Sequence, residues 1–312
     1  MKNLIIETQH LTKRYGEQII VEDINLHVKQ GRIYGLLGKN GAGKTTIMKM
    51  LLGLTPISTG NAYLFQQDIR KNRKAIYPRV GALIEGPGFY PNLTGRENLE
   101  VFAKLRGTTD DKAVQRALEI VGLPYKDKKT FAHYSMGMKQ RLGIACAVLH
   151  DPELLILDEP TNGLDPVGIA EIRKFLKELC AVHGKTLLLS SHILSEIAVL
   201  ADDVGIIDNG CLLEERTMEE LKKINQKYIC LNVSNAEKAA LILENNSQIG
   251  NYRVVSDRKI HIYHCTLPLS ALNQILINDG IQVAGLSVGG DTLEDYFKKR
   301  IGGGQDAESD RN

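Results

Sequence analysis

The stretch GKNGAGKT, residues 38–45, decides the fold, because it fulfils the pattern G-x-x-x-x-G-K-[ST] at every defined position. It follows RIYGLLG (32–38), whose apolar character predicts a buried strand, and it precedes TTIMKMLLGL (45–54), which is apolar on one helical face. In such a strand–loop–helix unit the glycines let backbone N–H groups curl around phosphate oxygens, and the helix N-terminus adds partial positive charge. The sequence therefore predicts a phosphate-binding loop for a nucleotide with Mg²⁺.

The loop also supplies side chains with defined chemistry. Lys44 is expected to reach the β- and γ-phosphates as a point charge, and the hydroxyl of Thr45 is expected to ligate Mg²⁺. The predicted nucleotide contacts in this segment are Gly38, Asn40, Gly41, Gly43, Lys44, Thr45 and Thr46.

A pair of acids follows another predicted strand, ELLILDEP (153–160). Asp158 and Glu159 stand at its C-terminal end, which is where open α/β sheets bind ligands. Asp158 is expected to hold Mg²⁺, and Glu159 to orient an attacking water and accept its proton. Adjacent acids at a strand end are, taken alone, more often surface turn residues. The phosphate-binding loop upstream favours the catalytic interpretation.

Strands alternate with helices along most of the chain, which predicts a parallel sheet covered on both faces. Thr94 and Glu97 have the spacing of a capping box ahead of an amphipathic helix. The other predicted elements are a half-buried strand over 19–29, a helix in KAVQRALEIVG, a helix over 166–184 with Pro first and Gly last, a buried strand over 185–192, and a hairpin over 203–215 that turns at Asn-Gly.

The composition changes after Arg216. The following segment reads as a small α+β unit without a nucleotide motif, and GGGQDAESDRN at the end is typical of a disordered tail. The predicted domains are 1–216, 217–300 and 301–312.

Bulk composition limits the classes of function. The 312 residues carry a formal net charge of +2, which gives no strong attraction to nucleic acid or to an anionic membrane. The five cysteines show no CxxC spacing, and no apolar stretch approaches the roughly 18 residues of a membrane span. Any role at a membrane is therefore expected to come through a partner protein.

The segment YSMGMKQR (134–141) makes the assignment narrower, because it resembles the signature motif of ABC transporter ATPases, LSGGQ followed by KQR. Ser135 and Gly137 match that motif, whereas Tyr134, Met136 and Met138 depart from it. Other segments resemble the family's motifs in the family's order: Tyr15 the aromatic that stacks on adenine, residues 88–99 the segment after the Q-loop, NGLD (162–165) the D-loop that ends in Asp165, and His192 the switch histidine.

The resemblance covers residues 4–216 and implies the ABC nucleotide-binding fold: a RecA-like parallel sheet, an antiparallel β subdomain and a helical subdomain around 88–150. Two copies, or one copy and a homologous subunit, are expected to pair head to tail. ATP is then held by Lys44, Thr45, Asp158 and Glu159 of one copy and by Ser135 and Gly137 of the other. The resemblance also implies separate membrane permease subunits that hold the ATPase at the cytoplasmic face.

A finer resemblance concerns the transported cargo. IEGPGFYPNLTGREN, YSMGMKQRLGIA and LEDYF are similar to the ATP-binding subunits of bacitracin and lantibiotic export or immunity transporters. In that group the Q-loop position is commonly glutamate, here Glu85, which is expected to lie near the metal and to contact the permease together with Phe89 and Tyr90.

Two alternatives to this function stay open. One is an ABC exporter of another cargo, such as a lipid, an ion or a polysaccharide. The other is a soluble ABC ATPase that acts on the ribosome or on DNA. It is disfavoured by the single phosphate-binding loop and the absence of a heptad stretch, so nucleic acid is not an expected partner.

Overall fold

A computed structural model describes residues 3–85, 88–108, 110–224, 227–246, 248–290, 293, 296–297 and 300. The chain divides into two compact units, residues 1–218 and 219–312. The predicted tail, 301–312, lies outside the described residues. Within them, no helix combines the length and the apolar character that crossing a membrane requires.

The first unit mixes strands and helices throughout. In chain order it contains β1 (Leu4–Tyr15), β2 (Gln18–Ile24), β3 (His27–Lys29), β4 (Ile33–Leu37), α1 (Lys44–Leu51), β5 (Thr59–Leu64), β6 (Gln67–Asp68), α2 (Arg73–Ile76), β7 (Val80–Leu83), α3 (Gly95–Leu105), α4 (Ala113–Ile120), α5 (Met136–Val148), β8 (Leu154–Leu157), α6 (Pro166–Ala181), β9 (Thr186–Ser191), α7 (Leu194–Leu200), β10 (Asp203–Asp208) and β11 (Cys211–Thr217). Helix α8 (Met218–Ile224) follows.

The central sheet has the strand order β11-β10-β4-β9-β8-β7, and only its β10–β11 pair is antiparallel. Every residue of β4, β8 and β9 is buried, as in strands that are covered on both faces. Leu37 pairs with Ser191, and Leu157 pairs with Leu189. The predicted parallel sheet is confirmed, and the residues that follow β4, β8 and β9 meet at one edge.

A second sheet is antiparallel, with the order β2-β1-β5-β6 and with β3 also paired to β1. The single strand predicted over 19–29 is wrong, because the structure divides it into β2 and β3. The strand is interrupted at Asn25 and Leu26, where the Asn25 side chain accepts the backbone N–H of His10 at 2.9 Å, and the two pieces pair with different parts of β1.

Local signals placed several elements correctly. Thr94 and Glu97 form the predicted capping box at the start of α3, and Asp165 with Pro166 begins α6. The β10–β11 hairpin turns at Asn209 and Gly210, both with positive φ, as a type I′ turn requires. In the helical part of the unit, the ring of Phe89 packs edge-on against Phe102 of α3.

The second unit is α+β, as predicted. It contains β12 (Lys227–Val233), α9 (Ala236–Glu244), β13 (Tyr252–Ser256), β14 (Lys259–Ile262), α10 (Leu269–Asn278) and β15 (Val283–Gly290). Its antiparallel sheet has the order β13-β14-β12-β15 and the chain order β-α-β-β-α-β, the ferredoxin-like arrangement. Residues of both helices pack with the sheet in a core of their own, centred on Leu231, Ile260 and Leu272.

His150 joins three elements of the first unit. It follows α5, its Nε2 lies 3.1 Å from the carbonyl oxygen of Val80 at the start of β7, and Nη1 of Arg106 lies 2.8 Å from its Nδ1. Burial, and next the nearby Arg106 guanidinium, lower the pKa of His150 from 6.5 to about 4. The folded protein therefore keeps this imidazole neutral in mild acid.

This shift predicts an acid-sensitive contribution to stability. As the pH falls from about 6.5 to about 4, the unfolded chain protonates its histidine near its ordinary pKa before the folded chain does, so the free energy of unfolding should decrease. His150→Gln, which cannot titrate, should make that decrease smaller. Chemical denaturation across this range measures it, with exposed His183→Gln as the control. A His150→Gln variant with the full wild-type decrease would show that this imidazole does not carry the effect.

Candidate nucleotide-binding site

A cavity of about 340 Å³ opens at the sheet edge where β4, β8 and β9 end. Eight of the residues predicted from the sequence line it. Two residues that were not predicted to bind the nucleotide also line it: Ile20, and Asn162 at the start of the NGLD segment. The full lining is Ile20, Asn40, Gly41, Gly43, Lys44, Thr45, Thr46, Glu159, Asn162 and His192.

The loop that forms one wall depends on its glycines. Gly41 and Gly43 have φ values of 82° and 105°, a region that side-chain-bearing residues rarely adopt. A Cβ atom on Gly38 would lie 2.3 Å from the carbonyl oxygen of Ile207, so backbone packing also requires glycine there. A residue with a side chain at any of these three positions would therefore strain the loop or displace its neighbours.

Lys44 is buried, and its ammonium group is hydrogen-bonded to the start of the phosphate-binding loop. Its Nζ donates to the carbonyl oxygens of Gly38, at 2.7 Å, and Lys39, at 3.1 Å. The same nitrogen lies 3.5 Å from Oε1 of Glu159. The ammonium group is thus positioned between the loop and the acid that follows β8.

Asp158 links the loop to two strands of the sheet. Thr45 Oγ1 donates to Asp158 Oδ2 at 2.7 Å, and the hydroxyl of Ser190 donates to Asp158 Oδ1. The hydroxyl of Ser190 also accepts the backbone N–H of Glu159 at 2.8 Å. Sequence reasoning missed Ser190; the available signal was a hydroxyl at the end of the otherwise apolar run LLLSS.

Glu159 has a strained backbone and two nitrogen neighbours. Its φ of 48° is left-handed, a conformation that costs on the order of 1–3 kcal/mol for a residue with a side chain. Its Oε2 lies 2.8 Å from Nδ1 of His192, and its Oε1 faces Lys44. This strained turn directs the carboxylate into the cavity.

A buried carboxylate supports the segment that carries His192. Glu196 of α7 is only 6% exposed and accepts hydrogen bonds from Thr161 Oγ1, at 2.6 Å, and from Ser191 Oγ, at 3.2 Å. It therefore ties the loop after Glu159 to the end of β9. No sequence motif had indicated this network.

Four of the predicted residues lie away from the cavity. Tyr15 is 55% exposed, and its ring lies 4.4 Å from Nζ of Lys13. Ser135 caps α5 by accepting the N–H of Met138, and Gly137 lies in the first turn of that helix. Asp165 caps α6 through the N–H of Gly168, at 2.9 Å.

Glu85 is also outside the cavity lining. It follows β7 with a left-handed φ of 62°, and its Oε1 accepts a hydrogen bond from Nζ of Lys49 at 2.6 Å. The structure therefore brings Glu85 to α1 and not to the contact between Thr45 and Asp158. Lys49 is a partner that sequence reasoning did not identify.

Comparisons with known proteins identify the family of this chain. A family model described as ABC transporter matches residues 21–162. The bacitracin transport ATP-binding protein BcrA of Enterococcus faecalis is 50% identical over 300 residues, 96% of this chain and 97% of the relative. The lantibiotic transport ATP-binding protein SrtF of Streptococcus pyogenes is 38% identical over 229 residues, 72% of this chain and 96% of the relative.

Solved structures share the fold over about two thirds of the chain. The ATP-binding subunit of an ABC transporter is 30% identical with a TM-score of 0.63, and the match covers 70% of this chain and 92% of that one. A dimeric ATP-binding cassette, MJ0796 bound to ADP and Pi, is 23% identical with a TM-score of 0.62, and the match covers 68% and 98%. On this likeness and the identity to full-length relatives, the chain belongs to the ATP-binding proteins of ABC transporters.

Proposed function

We propose that this chain drives the export of an antimicrobial peptide or peptide antibiotic through separate membrane permease subunits, which hold it at the cytoplasmic face of the membrane. As a member of its family the chain binds and hydrolyses ATP. The cargo is supported by relatives that are named for bacitracin and lantibiotic transport and that match almost all or most of this chain.

The observation that carries the chemistry is the position of the Glu159 carboxylate between Lys44 and His192. In this proposal Lys44 binds the phosphates, and Glu159, 3.5 Å from its ammonium group, accepts a proton from the attacking water. His192, whose Nδ1 lies 2.8 Å from Oε2 of Glu159, fixes the orientation of this carboxylate in the cavity.

Mg²⁺ fits the pair formed by Thr45 and Asp158. A hydroxyl and a carboxylate whose oxygens lie 2.7 Å apart are hard oxygen donors of the kind that Mg²⁺ binds. Bound there, the ion would neutralise charge on the phosphates. The hydroxyl of Ser190 donates to the other carboxylate oxygen of Asp158 and so fixes the orientation of this side chain. Glu85, the third predicted metal ligand, is engaged by Lys49 in this structure.

The residues outside the cavity fit a second copy of the ATPase subunit. Ser135 and Met136 are exposed at the start of α5, where backbone N–H groups also face outward, and Asp165 stands at the start of α6. A head-to-tail partner would bring Ser135 and Gly137 to the ATP of the opposite copy. Tyr90, exposed beside Phe89 and α3, is proposed to contact the permease together with Glu85.

Glu159→Gln tests the proposed proton acceptor. The variant should bind ATP but hydrolyse it about 10²–10⁴-fold more slowly, because the amide cannot accept the proton of water. It should also accumulate as an ATP-bound dimer in size-exclusion chromatography. Glu178→Gln, a change on the exposed face of α6, is the matched control and should behave as wild type. Wild-type turnover in Glu159→Gln would remove Glu159 from the mechanism.

Ser190→Ala tests the support of the metal ligand. Losing the hydrogen bond to Asp158 should raise the half-saturating Mg²⁺ concentration by about 10–100-fold, the usual effect of removing a hydrogen-bond partner of a metal ligand. ATP affinity measured in EDTA should change little, because Lys44 keeps its position. Exposed Ser195→Ala is the control. An unchanged Mg²⁺ dependence would show that Asp158 does not need Ser190.

Peptide resistance in cells tests the cargo. A sensitive host that expresses this chain with its permease should tolerate more bacitracin or lantibiotic than the same host with the Glu159→Gln chain. The inactive variant separates export from simple binding of the peptide. Equal sensitivity of the two strains to both classes of peptide, with normal ATP hydrolysis by the purified protein, would contradict the proposed cargo and leave the ATPase assignment intact.

A further inference from the structure

Lys49 and Glu85 form an ion pair that joins the helix after the phosphate-binding loop to the end of β7. Lys49 lies on α1, which begins at Lys44, and its Nζ is 2.6 Å from Oε1 of Glu85. The side chains are 33% and 67% exposed, respectively. Exposed ion pairs contribute little to stability, so the main physical effect of this pair is on where the carboxylate lies.

The charges around Lys49 connect this pair to the nucleotide site. Hydrogen bonding to Glu85 is the first cause that raises the pKa of Lys49, and the negative charge of Asp158 acts in the same direction. The geometry places the pair next to this site: Lys49 lies one helical turn after Thr45 on α1, and the N–H of Asp158 donates at 2.8 Å to the carbonyl oxygen of Leu83, two residues before Glu85. Neither Lys49 nor Glu85 lines the cavity itself.

The backbone at Glu85 is set for this contact. Its φ of 62° is left-handed, so the chain turns sharply where β7 ends. A carboxylate released from Lys49, one helical turn from Thr45, would be repelled by bound phosphates and attracted by a bound metal. Lys49 cancels the charge and gives the carboxylate a fixed hydrogen-bond partner on α1.

We propose that Lys49 is a positioning residue that holds the Glu85 carboxylate on α1 and away from the metal and the phosphates. This inference rests on the proposed Mg²⁺–ATP site. It accounts for an acid at a strand end next to the proposed metal and phosphate site, because Lys49 keeps that acid away from both. Loss of Lys49 then releases Glu85 toward that site. The freed carboxylate strengthens the binding of the metal and weakens the binding of the nucleotide.

The test uses Lys49→Met, Glu85→Gln, the double variant and the conservative Lys49→Arg in the full-length chain. Lys49→Met should weaken ATP binding measured in EDTA by about tenfold, because the freed carboxylate repels the phosphates. It should also lower the half-saturating Mg²⁺ concentration by about tenfold, a size typical of changes just outside a metal's ligands. Lys49→Arg and Glu85→Gln should stay within about twofold of wild type in both.

The double variant decides between positioning and a loss of charge or structure. Adding Glu85→Gln to Lys49→Met should restore both values, because no carboxylate remains to be released. Lys39→Met is the control, because it removes an exposed cation from the loop without freeing an acid. Any change in ATP or Mg²⁺ binding that Lys39→Met causes should therefore not be reversed by adding Glu85→Gln. Melting curves with and without ATP establish that each variant folds. Independent losses in the double variant, or weakening of both metal and ATP binding by Lys49→Met, would overturn the proposal.

The outcomes separate this proposal from the proposed function. If Glu159→Gln keeps wild-type hydrolysis, the assignment of the site fails, whatever Lys49 does. If hydrolysis depends on Glu159 and Mg²⁺ but Glu85→Gln does not rescue Lys49→Met, the site stands and only the positioning role is overturned.

Discussion

The parallel pairing of β4, β9 and β8 is the constraint on which the rest of the site depends. Leu37 pairs with Ser191 and Leu157 with Leu189, so the segments after these strands emerge side by side. Because parallel strands expose their C-terminal ends at the same edge, the phosphate-binding loop, the two acids and His192 meet there. A shift of one residue in this register would reverse the side chains that point to each face and separate Thr45 from Asp158.

The sequence was sufficient where short-range chemistry decides the structure. The loop, the acids after an apolar run, the capping box and the Asn-Gly hairpin each follow from neighbouring residues. Contacts between distant segments were not predictable in this way. Ser190 and Glu196 looked like ordinary polar residues, because their partners, Asp158 and Thr161, lie 32 and 35 residues away and meet them only through strand register. The division of 19–29 into two strands likewise depends on pairing with β1.

Two acids show how this fold uses strained backbone at its functional edge. Glu159 and Glu85 each follow a strand of the central sheet with a left-handed φ, which side-chain-bearing residues avoid. At Glu159 the turn directs a carboxylate to Lys44 and His192, inside the cavity. At Glu85 it directs a carboxylate to Lys49, outside the cavity. Violations of local preference are expected where function selects the geometry. Ser135 and Asp165 instead cap helices outside the cavity, and Gly137 lies in the first turn of α5; the proposed contact of Ser135 and Gly137 with ATP is with the ATP of a second copy.

The central claim is that Glu159 and His192 act on the attacking water as one unit, as their 2.8 Å contact indicates. The most direct measurement is a double-mutant cycle on the rate of ATP hydrolysis at saturating ATP, with Glu159→Gln, His192→Ala and both together. Residues that act as a unit give strongly non-additive losses. The account predicts that the double variant hydrolyses ATP within about threefold of Glu159→Gln alone. A double variant whose loss equals the product of the two single losses would contradict it.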